Sequence, residues 1–254
     1  HVPLHKTPTL DDTGRTTTSY NMEDAERFVE CLEGYDVNIL TGHTHYNFNI
    51  TKSERLREHN IAADAHLVVD GAHRLRRQSY LSDGSPGGYK IFEATGSDVR
   101  WYYKSIGKDA GYQFRTYDLN ECLLEKSDFC PSASDSDFAK YAFGYDRAND
   151  NNEVLINVFD WADDWKIEVT DLSDDSSLAV QRVRTHDPLH VISYNMRKLD
   201  KKSAMTFPTS YSAHMFKVKA RTASSSLRIV VTDGFKNHYE QIMERPKALS
   251  FAME

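Results

Sequence analysis

Two hydrophobic patterns divide the chain, and the first is helical. Before residue 35, apolar side chains recur every three or four positions. They are Met22, Ala25, Phe28, Val29 and Leu32. Asn21 is placed to cap the amino end of this predicted helix, and Gly34 is placed to end it. The apolar run at 36–40 then predicts a short buried strand, so this segment has an α/β pattern.

The second pattern begins near residue 79 and is typical of β-structure. Short segments rich in β-branched and aromatic residues are separated by turn-forming residues, as at Asp83–Tyr89. These segments are VRWYYK, YQFRTY, EVLINVF, WKIEVT, LAVQRV, HMFKVKA and LRIVVT. In YQFRTY, Tyr112 and Phe114 alternate with polar residues, which predicts one apolar face. A helix is expected only within 187–199, DPLHVISYNMRKL.

Together the two patterns predict an α+β fold in two domains. We place a partial α/β domain at residues 1–75 and a mostly β, sandwich-like domain at 76–254. The transition lies between residues 70 and 82. A chain of 254 residues is long enough for two such cores.

Two histidines follow the predicted strand in the segment LTGHTH, and they are candidate metal ligands. Gly42 allows a sharp turn, and His43 and His45 come directly after it. With one residue between them, the two side chains diverge, which suits two adjacent metal ions better than one. His1 is the third candidate ligand, because neutral imidazole binds zinc, manganese and iron. The motif is short, so two polar residues in a turn remain the alternative.

The net charge of the chain restricts the classes of partner that it is expected to bind. The net charge is −7, which argues against a nucleic-acid partner because phosphates need an excess of Lys and Arg. The basic runs Arg74–Arg77 and Arg197–Lys202 are interpreted as solvated surfaces. No apolar run approaches the roughly 18 residues that span a membrane, so we expect no transmembrane segment.

The cysteines and aromatic residues each allow more than one structural or functional role. Cys31 lies on the helical apolar stripe and is expected to be a buried thiol. Cys122 and Cys130 are close enough in sequence for a small disulfide loop in an oxidising compartment, and the sequence does not decide whether they pair. Trp101 and Trp161 are expected in packed cores. A separate exposed candidate for stacking on a sugar is Trp165. Asn49–Thr51 has the form of a glycosylation sequon.

Two sets of segments resemble a known family. The start HVPLH, followed after some thirty residues by ILTGHTH, resembles the last two metal-ligand blocks of a calcineurin-like metallophosphoesterase. Later segments resemble the C-terminal domain that follows this catalytic domain in a bacterial branch of the family. They are DGSPGGYKIFE, WYYKSIG, YQFRTYDLN, VLINVFDWADDWKIEV, DPLHVISY, HMFKVKA and VTDGFKNHYEQIMERPKAL.

The resemblance implies a function and roles for three residues. It implies hydrolysis of a phosphate ester by a hydroxide that two divalent metal ions activate, the ions being Mn, Fe, Zn or similar. His1 and His43 resemble ligands to one metal ion, and His45 resembles a ligand to the other. It also implies an extracytoplasmic location, periplasmic or secreted. The alternative is a non-catalytic, β-rich accessory module that binds a glycan or a protein.

The family's earlier motifs, Asp-x-His, Gly-Asp and Gly-Asn-His, have no match here. We therefore expect that residues 1–75 are the closing part of a catalytic domain and that the missing part acts as a partner. We also expect this chain alone to be inactive, with its metal ions absent or only partly bound. Asp36 lies at the wrong end of its strand to replace a lost carboxylate. Possible substitute ligands are Asp64, Asp70, His66 and His73.

Overall fold

The computed structural model describes residues 1–62 and 80–250. Its N-terminal part contains a small mixed sheet. β3 pairs with β5 in parallel, β5 pairs with β4 antiparallel, and β3 forms one edge of this three-stranded sheet. A separate hairpin, β1–β2, precedes it. The elements of this part are β1 (Thr9–Leu10), β2 (Thr16–Thr17), α1 (Ala25–Glu30), β3 (Val37–Thr41), β4 (Phe48–Ser53) and β5 (Leu56–Asn60).

The helix predicted before residue 35 exists, but it is short and its apolar stripe is exposed. α1 has six residues and only Ala25 is buried, while 46% of the Phe28 surface is exposed. The prediction of Asn21 as the N-cap was wrong, because Asp24 holds that position and caps without a side-chain hydrogen bond. The prediction of a buried Cys31 was also wrong, since this thiol is exposed. Hydrophobic spacing requires a surface to pack on, and within the described residues only Ala25 of this stripe is fully buried.

The prediction of a buried strand at 36–40 was wrong in the same way. β3 contains no fully buried residue, and Leu40 is 54% exposed. The strand forms as predicted, but among the described strands it lies at the sheet edge and pairs with β5 alone. Strands β4 and β5 were not predicted, because their polar residues hide the alternation that marks a strand.

The rest of the described chain is a β-sandwich preceded by a hairpin. One four-stranded sheet has the order β12–β13–β9–β8 and the other has the order β11–β10–β14–β15. Every pairing in both sheets is antiparallel. The elements are the hairpin β6 (Gly88–Thr95) and β7 (Asp98–Ser105), then β8 (Phe114–Asp118), β9 (Glu153–Val158), β10 (Lys166–Asp171), β11 (Ser176–Leu178), β12 (Gln181–Thr185), β13 (Ser212–Lys219), β14 (Leu227–Thr232) and β15 (His238–Met243).

The main core lies between these two sheets. Side chains from β9 and β13 meet side chains from β10 and β14, with Ile156, Phe216, Val169 and Ile229 among them. Trp165 packs in this core at 8% exposure, so the prediction that it is exposed was wrong. Its burial removes the main support for a sugar-stacking role, while Trp101 is buried as expected.

A helical layer covers the outer face of the first sheet. It consists of α2 (Lys126–Phe129), α3 (Asp135–Ala142), α4 (Pro188–His190), a π-helical turn (Val191–Met196) and α5 (Arg197–Asp200). β8 is buried on both faces although its sequence alternates, because Arg115 contacts Gly84 O and the Tyr80 ring in the segment before β6, and Asp187 just before α4. The helix expected within 187–199 is confirmed, and α2 and α3 were not predicted. The segment LAVQRV contributes to two strands rather than one, since β11 ends at Leu178 and β12 begins at Gln181.

The mostly β, sandwich-like character expected of this α+β chain is confirmed. The domain boundary at 75/76, the basic run Arg74–Arg77 and the residues Asp64, Asp70, His66 and His73 lie outside the described residues. Cys122 and Cys130 are buried free thiols and do not pair. Within 1–62 and 80–250, no helix has the length and apolar character needed to cross a membrane.

A buried polar cluster joins the N-terminal sheet to the sandwich. The Lys90 ammonium lies 2.7 Å from Asp160 Oδ1, and both side chains are almost fully buried. Lys90 also donates to Asn49 Oδ1, and Asn49 Nδ2 donates to Asp160 at 2.9 Å. Burial, with Lys90 and Arg57 nearby, lowers the pKa of the adjacent His59 to about 2. Because the Asn49 amide is used in this cluster, its sequon is not available for glycosylation in the folded chain.

Candidate functional site

The two histidines of LTGHTH lie in a strained loop directly after β3. His43 has a φ of 73° and His45 has a φ of 61°. Side chains with a Cβ rarely adopt this left-handed conformation, which costs about 1–2 kcal/mol per residue. A tight turn centred on His43 is closed by a hydrogen bond from Thr44 N–H to Gly42 O at 2.8 Å. Strain of this kind is concentrated at functional sites, so the loop is a candidate site.

Asn60, at the end of β5, holds this loop in place. Its Nδ2 group donates to Thr44 Oγ1 at 2.5 Å and to Tyr46 O at 2.6 Å. Its Oδ1 accepts a hydrogen bond from Thr41 Oγ1 at 3.2 Å. Asn60 is fully buried, so these bonds are shielded from water. The pairing of β5 with β3 therefore fixes the histidine loop through one side chain.

Glu58 brings the start of the chain to the same loop. Its carboxylate accepts hydrogen bonds from Leu4 N–H at 2.7 Å and from His5 N–H at 3.0 Å. It also contacts His5 Nδ1 and accepts a bond from Thr41 Oγ1. Burial raises the pKa of Glu58, but the hydrogen bonds from His5 and its neighbours outweigh that effect and leave the pKa lowered. Glu58 is therefore a charged anchor, and it positions His1 beside the turn.

The structure brings two of the three predicted ligands together. The His1 and His43 rings lie edge to face with their centroids 5.3 Å apart. Gly42 N–H donates to His1 O at 3.0 Å, which ties the two segments through the backbone. The His45 ring instead stacks on Phe207, at 5.8 Å between centroids. The two loop histidines thus have different ring neighbours, as the spacing in GHTH predicts for side chains that diverge.

Sequence reasoning missed the contribution of the sandwich domain to this loop. Phe207 lies between α5 and β13 and is far from His45 in sequence. A second contact joins Tyr46 Oη and Ser210 Oγ at 2.5 Å. No local pattern signals such a contact, because the segment from 201 to 211 contains no regular element. Only the tertiary fold places it against the histidine loop.

The described residues do not complete a dimetal site. Nowhere in 1–62 and 80–250 do three or more His, Cys, Asp or Glu side chains converge in a way that could hold a metal ion. His1 and His43 supply two imidazoles, and no carboxylate joins them there to bridge two ions or offset their charge. Asp36 is exposed at the opposite end of β3, 3.8 Å from Arg55, as the sequence predicts. The three histidines therefore fit only part of a dimetal donor set.

A second buried polar network links the histidine loop to the sandwich. Asp83 Oδ2 accepts from Asn47 N–H at 2.9 Å and lies 3.4 Å from His214 Nε2. His214 Nδ1 contacts Asn157 Oδ1 at 2.9 Å, and Asn157 donates to Asp187 Oδ2. Burial raises the pKa of Asp187, only partly opposed by nearby Arg115 and its hydrogen bonds. These groups are enclosed, so the network acts in packing rather than at an open site.

Two further histidines, His186 and His190, have structural roles. His190 is fully buried, and its Nδ1 lies 2.7 Å from Thr209 Oγ1. His186 stacks on Phe143 with centroids 3.6 Å apart, and burial lowers its pKa to about 4. Neither histidine takes part in the contacts described above that hold the histidine loop.

The comparisons with known proteins agree with the resemblance. A family model described as the C terminal of calcineurin-like phosphoesterase matches residues 76–239. Neither the curated proteins nor the solved structures gave a match. The matched range covers the hairpin β6–β7, most of the sandwich and its helical layer. The chain therefore belongs to the family of C-terminal domains of calcineurin-like phosphoesterases.

Proposed function

We propose that this chain forms part of a metal-dependent phosphoesterase, in which His1, His43 and His45 supply part of the ligand set for two divalent metal ions. One observation carries the proposal: the fold holds His43 and His45 in left-handed backbone conformations and sets the His1 ring beside His43. The His43 side chain is exposed, so packing does not explain the strain at this residue. The family of the C-terminal domain supports the same reaction class.

No described strand pairs with the edge of β3 opposite β5, which supports association with a further catalytic portion. Val37 N–H bonds Arg55 O, and Thr41 O accepts from Ile61 N–H, so alternate backbone groups face β5. The backbone groups of Asn38 and Leu40 must then face the opposite edge. Unpaired strand edges are sites for adding another strand. Gly42 N–H already bonds His1 O at the end of this edge.

Apolar side chains in the same part of the chain support a protein partner there. Val2, Phe28 and Leu40 are 47%, 46% and 54% exposed. Single exposed apolar residues need no explanation, but these belong to a strand edge, the helix that precedes this strand in sequence and the segment hydrogen-bonded to its end. A catalytic portion that adds a strand to β3 would cover them and bring the carboxylate ligands that the described residues lack.

Metal ions bound by the combined ligand set would supply an activated hydroxide and stabilise charge on the phosphoryl group. In this proposal the chain's own residues have three tasks. His1, His43 and His45 bind, Asn60 positions the loop, and Glu58 positions the start of the chain. The substrate is proposed as a phosphate ester, and an extracytoplasmic location is proposed from the family resemblance alone.

Turnover of 4-nitrophenyl phosphate with Mn²⁺ or Zn²⁺ tests the proposal. We expect no turnover by this chain alone and metal-dependent turnover by a polypeptide that also contains the catalytic portion. In that polypeptide, His43→Ala and His45→Ala should each abolish turnover. His238→Ala is the matched control, because His238 is exposed on β15 and far from the loop in sequence. Full activity in both loop variants would contradict the ligand roles.

Metal binding by this chain gives a second, independent measurement. Because His1 and His43 are adjacent, a titration with Co²⁺ should shift the imidazole NMR signals of both together. His43→Gln should remove the coupled shift, and His238→Gln should leave it. Separate, unrelated shifts of the two rings would count against a shared metal ion.

A further inference from the structure

A lysine amine, an asparagine amide and an aspartate carboxylate meet in the buried cluster between the N-terminal sheet and the sandwich. Lys90 Nζ lies 2.7 Å from Asn49 Oδ1 and 2.7 Å from Asp160 Oδ1. Asn49 is on β4, Lys90 is on β6, and Asp160 lies between β9 and β10. The carbonyl carbon of Asn49 is bonded to Oδ1 at about 1.2 Å, so it lies within about 4 Å of Lys90 Nζ. A nucleophile and an electrophile are therefore held almost in contact.

The Asp160 carboxylate is placed to move protons between the two nitrogens. Its Oδ1 lies 2.7 Å from Lys90 Nζ and accepts from Asn49 Nδ2 at 2.9 Å. Its Oδ2 is buried and has no hydrogen-bond partner among the residues that the structure describes. Buried carboxylate oxygens normally have such a partner. Oδ2 can therefore carry a proton without the loss of an existing hydrogen bond.

Burial lowers the free energy of forming the neutral lysine amine. The side chains of Lys90 and Asp160 are almost fully buried. The rings of Phe92 and Trp101 pack on the adjacent His59, at 5.2 and 4.5 Å between centroids. Burial lowers the pKa of Lys90, although the charge of Asp160 opposes this change. When the ammonium passes a proton to the carboxylate, both groups become neutral and the amine becomes a nucleophile.

His59 lies where negative charge would develop during an attack on the Asn49 carbonyl group. Its Nδ1 lies 2.8 Å from Asn49 Oδ1 and 3.4 Å from Lys90 Nζ. His59 is fully buried, and burial lowers its pKa to about 2, so the imidazole is neutral. With its proton on Nδ1, the ring donates to the carbonyl oxygen and stabilises an oxyanion there. The cluster thus combines a nucleophile, an electrophile, a proton carrier and an oxyanion donor.

We propose that Lys90 and Asn49 form an intramolecular isopeptide bond in the folded chain, with Asp160 as the proton carrier. Asp160 takes a proton from the Lys90 ammonium, and Nζ attacks Asn49 Cγ to form the new C–N bond. Asp160 then gives the proton to Nδ2, and the bond between Cγ and Nδ2 breaks. Nζ gives up a second proton, so that one ammonium ion leaves and Asp160 ends as a carboxylate. The reaction consumes no oxidant, reductant or co-reactant.

The bond joins two parts of the fold that are separate in sequence. It connects β4, in the sheet that leads to the histidine loop, to β6, in the range that matches the family model. The ion pair between Lys90 and Asp160 is the state before reaction, and the mass of the intact chain shows which state a preparation contains. The inference does not depend on the proposed function, because the reaction needs neither a metal ion nor a substrate.

Mass spectrometry of the purified, denatured chain tests the inference. We expect the intact mass to fall short of the sequence mass by one ammonia. Tryptic digestion should yield residues 28–52 joined to residues 78–100, with no cleavage after Lys90. The full sequence mass, with 28–52 recovered alone and cleavage after Lys90, would overturn the inference. Loss of one water with Lys90 joined to Asp160 would also overturn it, because Asn49 would then not be the electrophile.

Substitutions separate the bond from other losses of ammonia. Lys90→Arg keeps the cation, and Asp160→Asn keeps the shape but removes the proton carrier, so both variants should have their full sequence mass. Lys166→Arg is the matched control and should still lose ammonia, because Lys166 is an exposed lysine on β10. Tryptophan fluorescence checks that each variant is folded, and wild type with Lys90→Arg decides the question even if Asp160→Asn does not fold. Ammonia loss that persists in folded Lys90→Arg, as succinimide formation at an asparagine would give, refutes the bond.

Discussion

Removing the charge of Asp160 should destabilise the chain strongly. Asp160 Oδ1 lies 2.7 Å from the Lys90 ammonium, and the two side chains are 0% and 1% exposed. Asp160→Asn keeps the size and shape of the side chain but leaves the ammonium without its counter-charge. Asn49 Oδ1 still accepts from Lys90 at 2.7 Å, so the lysine stays in place. The perturbation therefore isolates the missing charge.

The size of the destabilisation follows from the burial of the ion pair. Breaking a buried ion pair by removing one partner costs about 3–5 kcal/mol, because the remaining charge is out of water. A domain of this size has a free energy of unfolding of about 5–15 kcal/mol, so the loss is a large fraction of it. Replacing both partners with apolar residues, Lys90→Met with Asp160→Leu, should recover most of the loss, since no buried charge remains.

The stability of Asp160→Asn should also depend on pH, and the pKa of Lys90 sets the direction of that dependence. Burial lowers the pKa of Lys90, and the charge of Asp160 opposes that change. Without Asp160 the folded-state pKa falls further below the value of about 10.4 for an unfolded lysine. Between these two values the unfolded state binds more protons, so the stability of Asp160→Asn should recover as pH rises toward 10.4. Wild-type chain should show a smaller recovery.

Urea unfolding followed by tryptophan fluorescence measures the difference. Glu168→Gln is the matched control, because it removes an exposed pair in which Lys166 lies 2.7 Å from Glu168. The control should leave the unfolding midpoint almost unchanged, since exposed ion pairs contribute little. If Asp160→Asn shifts the midpoint no further than Glu168→Gln, the argument from buried charge is wrong.

Three further results are expected. Gly84→Ala should prevent folding, because φ at this position is +82° and the new Cβ would overlap the buried Asp187 side chain. At Gly96, φ is also positive but a new Cβ would meet nothing within 4 Å, so Gly96→Ala should lower the free energy of unfolding, measured in urea, by about 1–2 kcal/mol. In the native chain Cys31 should react with a thiol reagent at once, and the other two cysteines only after unfolding, which labelling counted by mass would show. Burial lowers the pKa of His190 to about 3, so the folded state stays neutral while the unfolded state binds protons below about 6.5. Stability should fall from pH 7 to pH 5, less in His190→Gln than in wild type or in the exposed control His238→Gln; equal acid losses in all three would contradict this assignment.

The sequence predicted the elements whose hydrophobic pattern is local. Most strands of the sandwich, the helix after Asp187 and the strand that leads to GHTH follow from alternation, turn residues and spacing, whereas β15 was not predicted. It missed β4 and β5, since polar side chains such as Asn49 and His59 are buried there in hydrogen-bonded clusters. Hydrophobic periodicity identifies apolar residues that are favourable to bury. It cannot identify a buried polar residue whose hydrogen-bond partners come from distant parts of the chain.

The sequence alone determined the residue types at the histidine loop and their divergence, because a glycine followed by His-x-His restricts where neighbouring side chains can point. Only the tertiary structure decided that His1 meets His43 and that His45 meets Phe207. It also decided that Phe28 of α1 and Leu40 of β3 stay exposed and that Trp165 is buried. The physical reason is the same in each case: burial and proximity depend on which surfaces pack together, and those surfaces come from residues far apart in sequence.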